Sequence, residues 1–217
     1  MSDTDSFIEE VTEEVRRDRL FKLMKKYGWI AIALVILLVG GAAYNEWRKA
    51  RDQAAAEAMG DAILAAFQLD DPARRAEALA GIAAPGDARA IVAMLAANDA
   101  QEAGQTDQAL SMLAQIANDS DIAERYRHLA ELKIMLISAG SLAPEERLSR
   151  LAPLAAPGAP YRLLAEEQMA IAEIDAGQEQ QALDRLRAII DDDAATTGLR
   201  RRATQLIVAL GGEPNPA

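Results

Sequence analysis

The stretch KKYGWIAIALVILLVGGAAYNEWRK, residues 25–49, contains the longest run without a charge in this chain. No side chain from Tyr27 to Tyr44 is ionised at neutral pH, and most of them are Ile, Leu, Val or Ala. Eighteen helical residues span roughly 27 Å, close to the thickness of the hydrocarbon core of a bilayer. A surface helix of a soluble domain would carry a polar face, which this run lacks. We therefore predict one transmembrane helix over residues 27–46.

Aromatic residues flank the predicted membrane helix. Tyr27 and Trp29 lie near one end, and Tyr44 and Trp47 lie near the other. Such amphipathic rings prefer the headgroup level of a bilayer, so we assign these four residues to the membrane anchor. A cleavable signal peptide is the alternative, because GGAAY offers small residues before a cut. Its charged region would be 26 residues long and its apolar region at the upper limit, which favours a retained anchor.

Basic residues near the run predict the orientation of the anchor. Six of them precede the run and three follow it: Arg16, Arg17, Arg19, Lys22, Lys25 and Lys26, against Arg48, Lys49 and Arg51. The more basic flank stays in the cytosol. Residues 1–26 are thus predicted to be a cytosolic charged amphipathic segment. Residues 47–217 are predicted to be exported, into the periplasm if the membrane is a bacterial inner membrane.

The composition of the remaining chain excludes several classes of partner. Residues 50–217 contain 26 acidic and 15 basic side chains and so hold the whole net charge of −11. An acidic domain argues against nucleic acid as a partner and against lying flat on anionic lipid. The chain has no cysteine, which excludes disulfides and thiolate metal sites. Abundant alanine with only 4% aromatic residues favours helices that pack closely, and we predict an all-α protein.

Four leucine-containing segments recur after residue 50. EALAGIAAPG, SMLAQIANDSD, SRLAPLAAPG and DRLRAIIDDDA align on Leu79, Leu113, Leu151 and Leu186, which are 34, 38 and 35 residues apart. Helix-breaking residues follow each leucine segment, and a glycine falls inside three of the units, at Gly104, Gly140 and Gly177. A glycine at such a place is typical of a helix that stops and turns back. The period predicts an array of helix-turn-helix units.

Two of these units resemble tetratricopeptide repeats. AANDAQEAGQTDQALSMLAQI and MAIAEIDAGQEQQALDRLRAI each have a small residue in the first helix, a turn glycine, then alanine and leucine in the second helix. The residues that carry the resemblance, and the predicted packing contacts, are Ala97, Gly104, Ala109 and Leu113 in the first unit and Ala170, Gly177, Ala182 and Leu186 in the second. The other two units have Arg75 and Arg147 in place of the packing alanine, which marks them as degenerate or capping repeats.

The whole layout resembles the YfgM-like bacterial proteins, which are ancillary subunits of the SecYEG translocon. The shared features are a short charged N-terminal segment, a KYG entry at Lys26, Tyr27 and Gly28 into one membrane helix, and a tetratricopeptide-like domain behind it. The resemblance implies a membrane-anchored interaction module that links the SecYEG channel to periplasmic proteins, either clients or chaperones.

No cluster of residue types in the sequence predicts catalysis. His128 is the only histidine, and without cysteine it cannot form a zinc site of the usual kind. The run from Asp191 to Asp193 lacks the spacing and turn glycine of a calcium loop, and we expect it to cap the next helix. Glu166 and Glu167 are expected on a solvated face. We predict no enzymatic activity, no cofactor and no metal.

Three functional hypotheses remain open. The favoured one is the interaction module beside the secretion channel. The second is a structural accessory subunit of another inner-membrane assembly, such as a respiratory supercomplex. The third is a cell-envelope scaffold without a stable membrane partner. Gly40, Gly41, Ala42 and Ala43 give one end of the predicted span a small surface for close helix contact, which favours a membrane partner.

Overall fold

The computed structural model describes the backbone of residues 3–213, and the side chains of Phe21 and of all residues from Met24 to Glu213 except Ala31. The described residues form nine helices and no strand, so the predicted all-α class is confirmed for this part of the chain. The chain divides into two compact units, Met1–Ala58 and Met59–Ala217. The helices are α1 Asp3–Phe67, α2 Pro72–Ala80, α3 Asp87–Glu102, α4 Thr106–Ala117, α5 Glu124–Ile137, α6 Pro144–Leu151, α7 Arg162–Asp175, α8 Glu179–Asp191 and α9 Thr197–Ala209.

The predicted membrane run lies inside one helix of 65 residues, α1. This helix passes through both predicted boundaries, between residues 26 and 27 and between residues 46 and 47. The chain has no proline before Pro72, and residues 50–66 are rich in alanine, the strongest helix former. Nothing in the sequence therefore ends the helix at either boundary. The predicted amphipathic character of residues 1–20 lies outside the described side chains.

Helices α2 to α9 form what we call the helical array. Each helix packs on the next one along the chain, and α5 also touches α3 and α7. The first and last helices begin with side-chain caps: Asp71 accepts a hydrogen bond from the backbone N–H of Ala73, and Thr196 accepts one from Leu199. These caps satisfy N–H groups that have no partner inside the helix. Pro72 follows Asp71 at the start of α2, a position where its missing N–H costs nothing.

Two of the three predicted turn glycines have left-handed backbone. Gly104 (φ 76°) joins α3 to α4, and Gly177 (φ 72°) joins α7 to α8. At both turns the next residue donates a 2.8 Å backbone hydrogen bond to a carbonyl five residues earlier, which is the Schellman pattern. Gly140, between α5 and α6, does not adopt a positive φ. That turn is closed by Ser138, whose carbonyl accepts from two backbone N–H groups.

The aligned leucines lie at the centre of the array. Leu79, Leu113, Leu151 and Leu186 have no exposed surface, and each belongs to an even-numbered helix or ends one. The residue one turn earlier alternates along the chain: Arg75, Ala109, Arg147 and Ala182. Ala109 and Ala182 are fully buried, as are Ala97 and Ala170 in the facing helices. Such small side chains let two helices approach closely around a buried leucine.

Candidate functional site

Nearly all described residues in the apolar part of α1 are exposed. Its most apolar 18-residue window has a mean hydropathy of 2.0, and none of that window is buried in the chain. In the described residues this is the one helix long and apolar enough to cross a membrane. A soluble helix of this composition would be expected to bury its side chains, whereas here even the four predicted anchor aromatics are 49–67% exposed: Tyr27, Trp29, Tyr44 and Trp47.

Cations accompany the aromatic rings at both ends of the apolar run. The Lys26 ammonium lies 5.4 Å from the centre of the Tyr27 ring, and the Arg51 guanidinium lies 5.8 Å from that of Trp47. Trp47 also contacts the Tyr44 ring, with 6.1 Å between centroids. Aromatic rings beside cations, with an apolar run between them, suit the two headgroup layers of a bilayer.

One end of the apolar run carries a small, open surface at Gly40, Gly41, Ala42 and Ala43. A Cβ atom added at either glycine would meet no other side chain and no distant part of the chain within 4 Å. All four residues are exposed. Small residues of this kind let a second membrane helix come close to the backbone.

The helical array contains an apolar groove of about 780 Å³. It lies between the end of α2, the connection from α2 to α3, and helices α3 and α4. Five large apolar residues line it, of which Ile82 and Met112 are partly exposed and the others are buried: Leu79, Ile82, Val92, Met112 and Ile116. Alanines make its walls: Ala80, Ala83, Ala84, Ala93 and Ala96. The volume is in the range of about 300–1,000 Å³ that is typical of binding sites.

One ion pair lines the groove, and a second joins residues next to it in the sequence. Arg89 donates to Asp119 at 2.6 Å, and both residues line the groove. Just outside it, Arg125 donates to Asp87 at 2.6 Å, and Asp87 also accepts from the backbone N–H of Ala123. Each of these charges is matched by a partner. The groove therefore offers an apolar surface with a neutralised rim, and no unpaired group positioned for acid–base chemistry.

The same ion pairs occur a second time in the array. We call residues 72–119 segment A and residues 144–192 segment B. Matching residues of the two segments are 72 positions apart as far as Gly86 and Gly158. After a one-residue insertion in segment B, they are 73 positions apart from Arg89 and Arg162 onward. The corresponding ion pairs are Arg89–Asp119 (2.6 Å) and Arg162–Asp192 (2.5 Å), and Arg75–Glu102 (2.9 Å) and Arg147–Asp175 (2.5 Å).

Three of the groove positions differ in chemistry between the two segments. Segment A has Ala93, Ala96 and Met112 there, and segment B has Glu166, Met169 and Arg185 at the matching positions. Glu166 accepts from Arg162 at 2.9 Å, and Arg185 forms a bidentate pair with Glu173 at 2.7–3.1 Å. Segment B thus places longer side chains, two of them ion-paired, where segment A has small or apolar ones.

Electrostatics strengthens one of the duplicated pairs. The hydrogen bond from Arg162, with a second one from the backbone N–H of Ala194, holds the pKa of the Asp192 carboxyl below its ordinary value. Asp192 and Glu166 in turn raise the pKa of Arg162. Asp192 therefore remains a carboxylate that ties α7 to the end of α8.

Two interpretations of acidic residues from the sequence were wrong. Glu167 is not on a solvated face: it is 5% exposed and accepts two hydrogen bonds from Arg202, at 2.6 and 2.7 Å. The run from Asp191 to Asp193 does not cap α9, because Thr196 does so, four residues after Asp192. Both errors have one cause, which is that the partners are distant in sequence: Arg202 is 35 residues from Glu167, and Arg162 is 30 residues from Asp192.

The two arginines that interrupt the alanine pattern are structural ion-pair partners. Arg147 is 2% exposed and donates to Asp175, while Arg75 bridges Asp99 and Glu102. Hydrogen bonds to Asp99, with the nearby Glu102, raise the pKa of Arg75. The signal in the sequence was an acid 27 or 28 residues after each arginine.

Metal chemistry has no obvious site among the described residues. No group of three or more His, Asp or Glu side chains is placed there to hold an ion. His128 lies on α5, where its Nε2 is 3.4 Å from Glu124. This contact is within one helix and is ordinary for a partly buried histidine.

Comparison with protein-family models, with curated proteins and with solved structures finds no match for this chain.

Proposed function

We propose that this chain is a membrane-anchored protein–protein interaction module of a bacterial inner membrane, ancillary to the SecYEG translocon. In this proposal residues 1–26 are cytoplasmic and residues 47–217 are periplasmic. The observation that carries it is the presence, in one chain, of an exposed apolar span and a helical array with an open apolar groove. The span supplies the anchor, and the groove supplies a surface for periplasmic clients or chaperones.

The fine architecture in this proposal is a tetratricopeptide-like solenoid. Three features support it: the four buried leucines, the small residues packed around two of them, and the left-handed glycines at two turns. Arrays of this kind bind other proteins rather than catalyse reactions. The acidic charge of residues 50–217 also supports a protein partner over nucleic acid.

A membrane partner is supported by the small surface at Gly40 and Gly41. Without such a partner, a plain tether would have no use for a surface that admits close backbone approach. The same surface fits a structural accessory subunit of another inner-membrane assembly, such as a respiratory supercomplex. Identification of the partner separates these two functions.

The test is purification of the full-length native protein in a mild detergent, with the co-purifying proteins identified by mass spectrometry. We expect SecY, SecE and SecG in stoichiometric amounts. Substitution of Gly40→Ile with Gly41→Ile should release them, because the added side chains keep the helices apart. Gly28→Ile, which the helical repeat places on the opposite face of α1, is the matched control and should retain them. Stoichiometric recovery of a respiratory complex without the channel would assign the accessory-subunit function instead.

Topology is tested separately with a reporter that is active only in the cytosol, fused after Ala217. We expect no reporter activity and a mature chain that still contains the apolar run. An active reporter, or a mature N-terminus near Tyr44, would contradict the proposed anchor.

A further inference from the structure

We propose that the groove of segment A binds a stretch of unfolded polypeptide in which aliphatic or aromatic side chains are flanked by lysine or arginine. The inference deepens the proposed function, and rests on it, because it states the chemistry of the client. Three observations carry it: the apolar lining of the groove, the charge around it, and the contrast with segment B.

The lining suits side chains of a polypeptide. Ile82 and Met112 keep part of their apolar surface exposed in the groove, beside the small side chain of Ala93. The groove is bounded on one side by the connection from α2 to α3 and is open to solvent on another. An extended chain can therefore place apolar side chains in the groove while its backbone stays hydrated. The burial of each such side chain stabilises the complex through the hydrophobic effect.

The net charge of residues 59–213 as a whole, rather than of the neutralised rim, favours basic flanks on the bound segment. Residues 59–213 contain 24 acidic and 14 basic side chains, so this part of the chain has a net charge of −10. Nine of its arginines are already in ion pairs with carboxylates: Arg75, Arg89, Arg125, Arg147, Arg150, Arg162, Arg185, Arg187 and Arg202. The surplus carboxylates dominate the surface potential, which attracts cationic flanks and repels acidic ones.

Segment B has larger side chains at three of the positions that line the groove in segment A. Its matching positions carry Glu166, Met169 and Arg185, and the two charged side chains are held in place by ion pairs. Segment A has the same rim pair, Arg89–Asp119, without the long side chains beneath it. Segment A instead has alanine or methionine at these positions, and its groove is open.

The test measures binding of short fluorescent peptides to the full-length protein in phosphatidylcholine nanodiscs, by fluorescence anisotropy. One peptide has leucine and phenylalanine flanked by lysines, a second has the same core flanked by glutamates, and a third has the lysine flanks with a serine core. Empty nanodiscs give the contribution of lipid. We expect the first peptide to bind at least about tenfold more tightly than either of the others, with affinity that falls as salt screens the flanks.

Substitutions locate the site. Ala93→Met places a long side chain in the groove. It should weaken binding of the lysine-flanked peptide about tenfold, which corresponds to about 1.4 kcal/mol of binding free energy. Ala188→Met adds the same side chain at an exposed position of segment B and should leave binding unchanged. Ile82→Ser, which removes a partly exposed apolar side chain from the groove, is a second groove variant if Ala93→Met fails to fold. Helicity by circular dichroism checks the fold of each protein.

Several results would overturn the inference. They are equal binding of the lysine-flanked and glutamate-flanked peptides, retention of binding by both groove variants, and binding no stronger than to empty nanodiscs. Binding of a fatty acid that Ala93→Met abolishes, with no peptide binding, would assign the groove to a lipid. Peptide binding does not require the channel. If the peptide binds but SecYEG does not co-purify, only the association with the translocon is rejected. If SecYEG co-purifies but the peptide does not bind, only the peptide-binding role of the groove is rejected.

Discussion

Segments A and B share their ion pairs but not their surfaces. Arg89–Asp119 matches Arg162–Asp192, and the leucines at the centre of each segment are equally buried. Other positions differ between the segments. Ala93 and Ala96 in segment A correspond to the longer Glu166 and Met169 in segment B. The comparison teaches that the ion pairs and the buried leucines recur in both segments, whereas the size of the side chains at the groove positions does not.

A second difference is the number of ion-pair partners of the arginine in the first helix of each segment, Arg75 or Arg147. Arg75 has two carboxylate partners, Asp99 and Glu102, whereas Arg147 is almost fully buried and relies on Asp175. Position 172 in segment B, which matches Asp99, is alanine. The second segment therefore depends on one ion pair where the first has two.

The largest expected effect tests whether the two centres are equivalent. Leu113→Ala and Leu186→Ala should each lower the free energy of unfolding by about 2–5 kcal/mol, because each removes a fully buried side chain and leaves a cavity. Chemical denaturation of the full-length protein in a mild detergent, followed by circular dichroism, measures both. Gln108→Ala and Gln181→Ala, at matching exposed positions, are the controls. A loss below about 0.5 kcal/mol for either leucine would show that its segment is not held together at this point.

A smaller effect should separate the two arginines. Asp175→Ala leaves the buried Arg147 charge without its partner and should cost about 2 kcal/mol, below the roughly 3–5 kcal/mol of a fully buried pair because Asp175 is half exposed. Glu102→Ala should cost less than about 1 kcal/mol, since Arg75 keeps Asp99 and the lost partner is exposed. The same denaturation measurement applies. Equal costs at the two sites would remove this difference between the segments.

The smallest effect concerns pH and the pair Arg162–Asp192. Because the folded-state pKa of Asp192 is lowered, the pair stabilises the fold above the unfolded value of about 3.9 and loses this contribution as pH falls through the folded pKa. Arg162→Gln should therefore destabilise the protein at pH near 7 and make little difference in strong acid. Titration of the Asp192 carboxyl by NMR should show its pKa rising in the variant. An unchanged pKa would mean that Arg162 does not hold this carboxylate.

The features that repeat in the sequence were the predictable part of the fold. Apolar composition alone was enough to find the membrane candidate within α1, and the spacing of Leu79, Leu113, Leu151 and Leu186 located four residues that have no exposed surface. Gly104 and Gly177 were identified as turns because left-handed backbone favours glycine. These signals are local, and each can be read from a short window.

Contacts between distant residues were beyond the reach of such windows. Arg75 and Arg147 departed from the alanine pattern, and their acidic partners on the next helix became visible only in three dimensions. The groove depends on how deeply the connection after α2 packs against α3 and α4, which no single segment encodes. The length of α1 was also missed, since the predicted boundary at residue 47 followed the end of the apolar run rather than a helix breaker.

The order of packing in the array has a consequence for how the chain folds. Each helix packs mainly on its predecessor and its successor, and the long side-chain hydrogen bond from Arg125 to Asp87 spans only 38 residues. Contacts between residues close in sequence form quickly, because little loop entropy is lost in closing them. During synthesis α3 can pack on α2 before α4 has emerged, and α4 and α5 can each pack on a helix that is already present, whereas α6 packs mainly on α7. The array can therefore grow from its N-terminal end in steps, without waiting for the C-terminus.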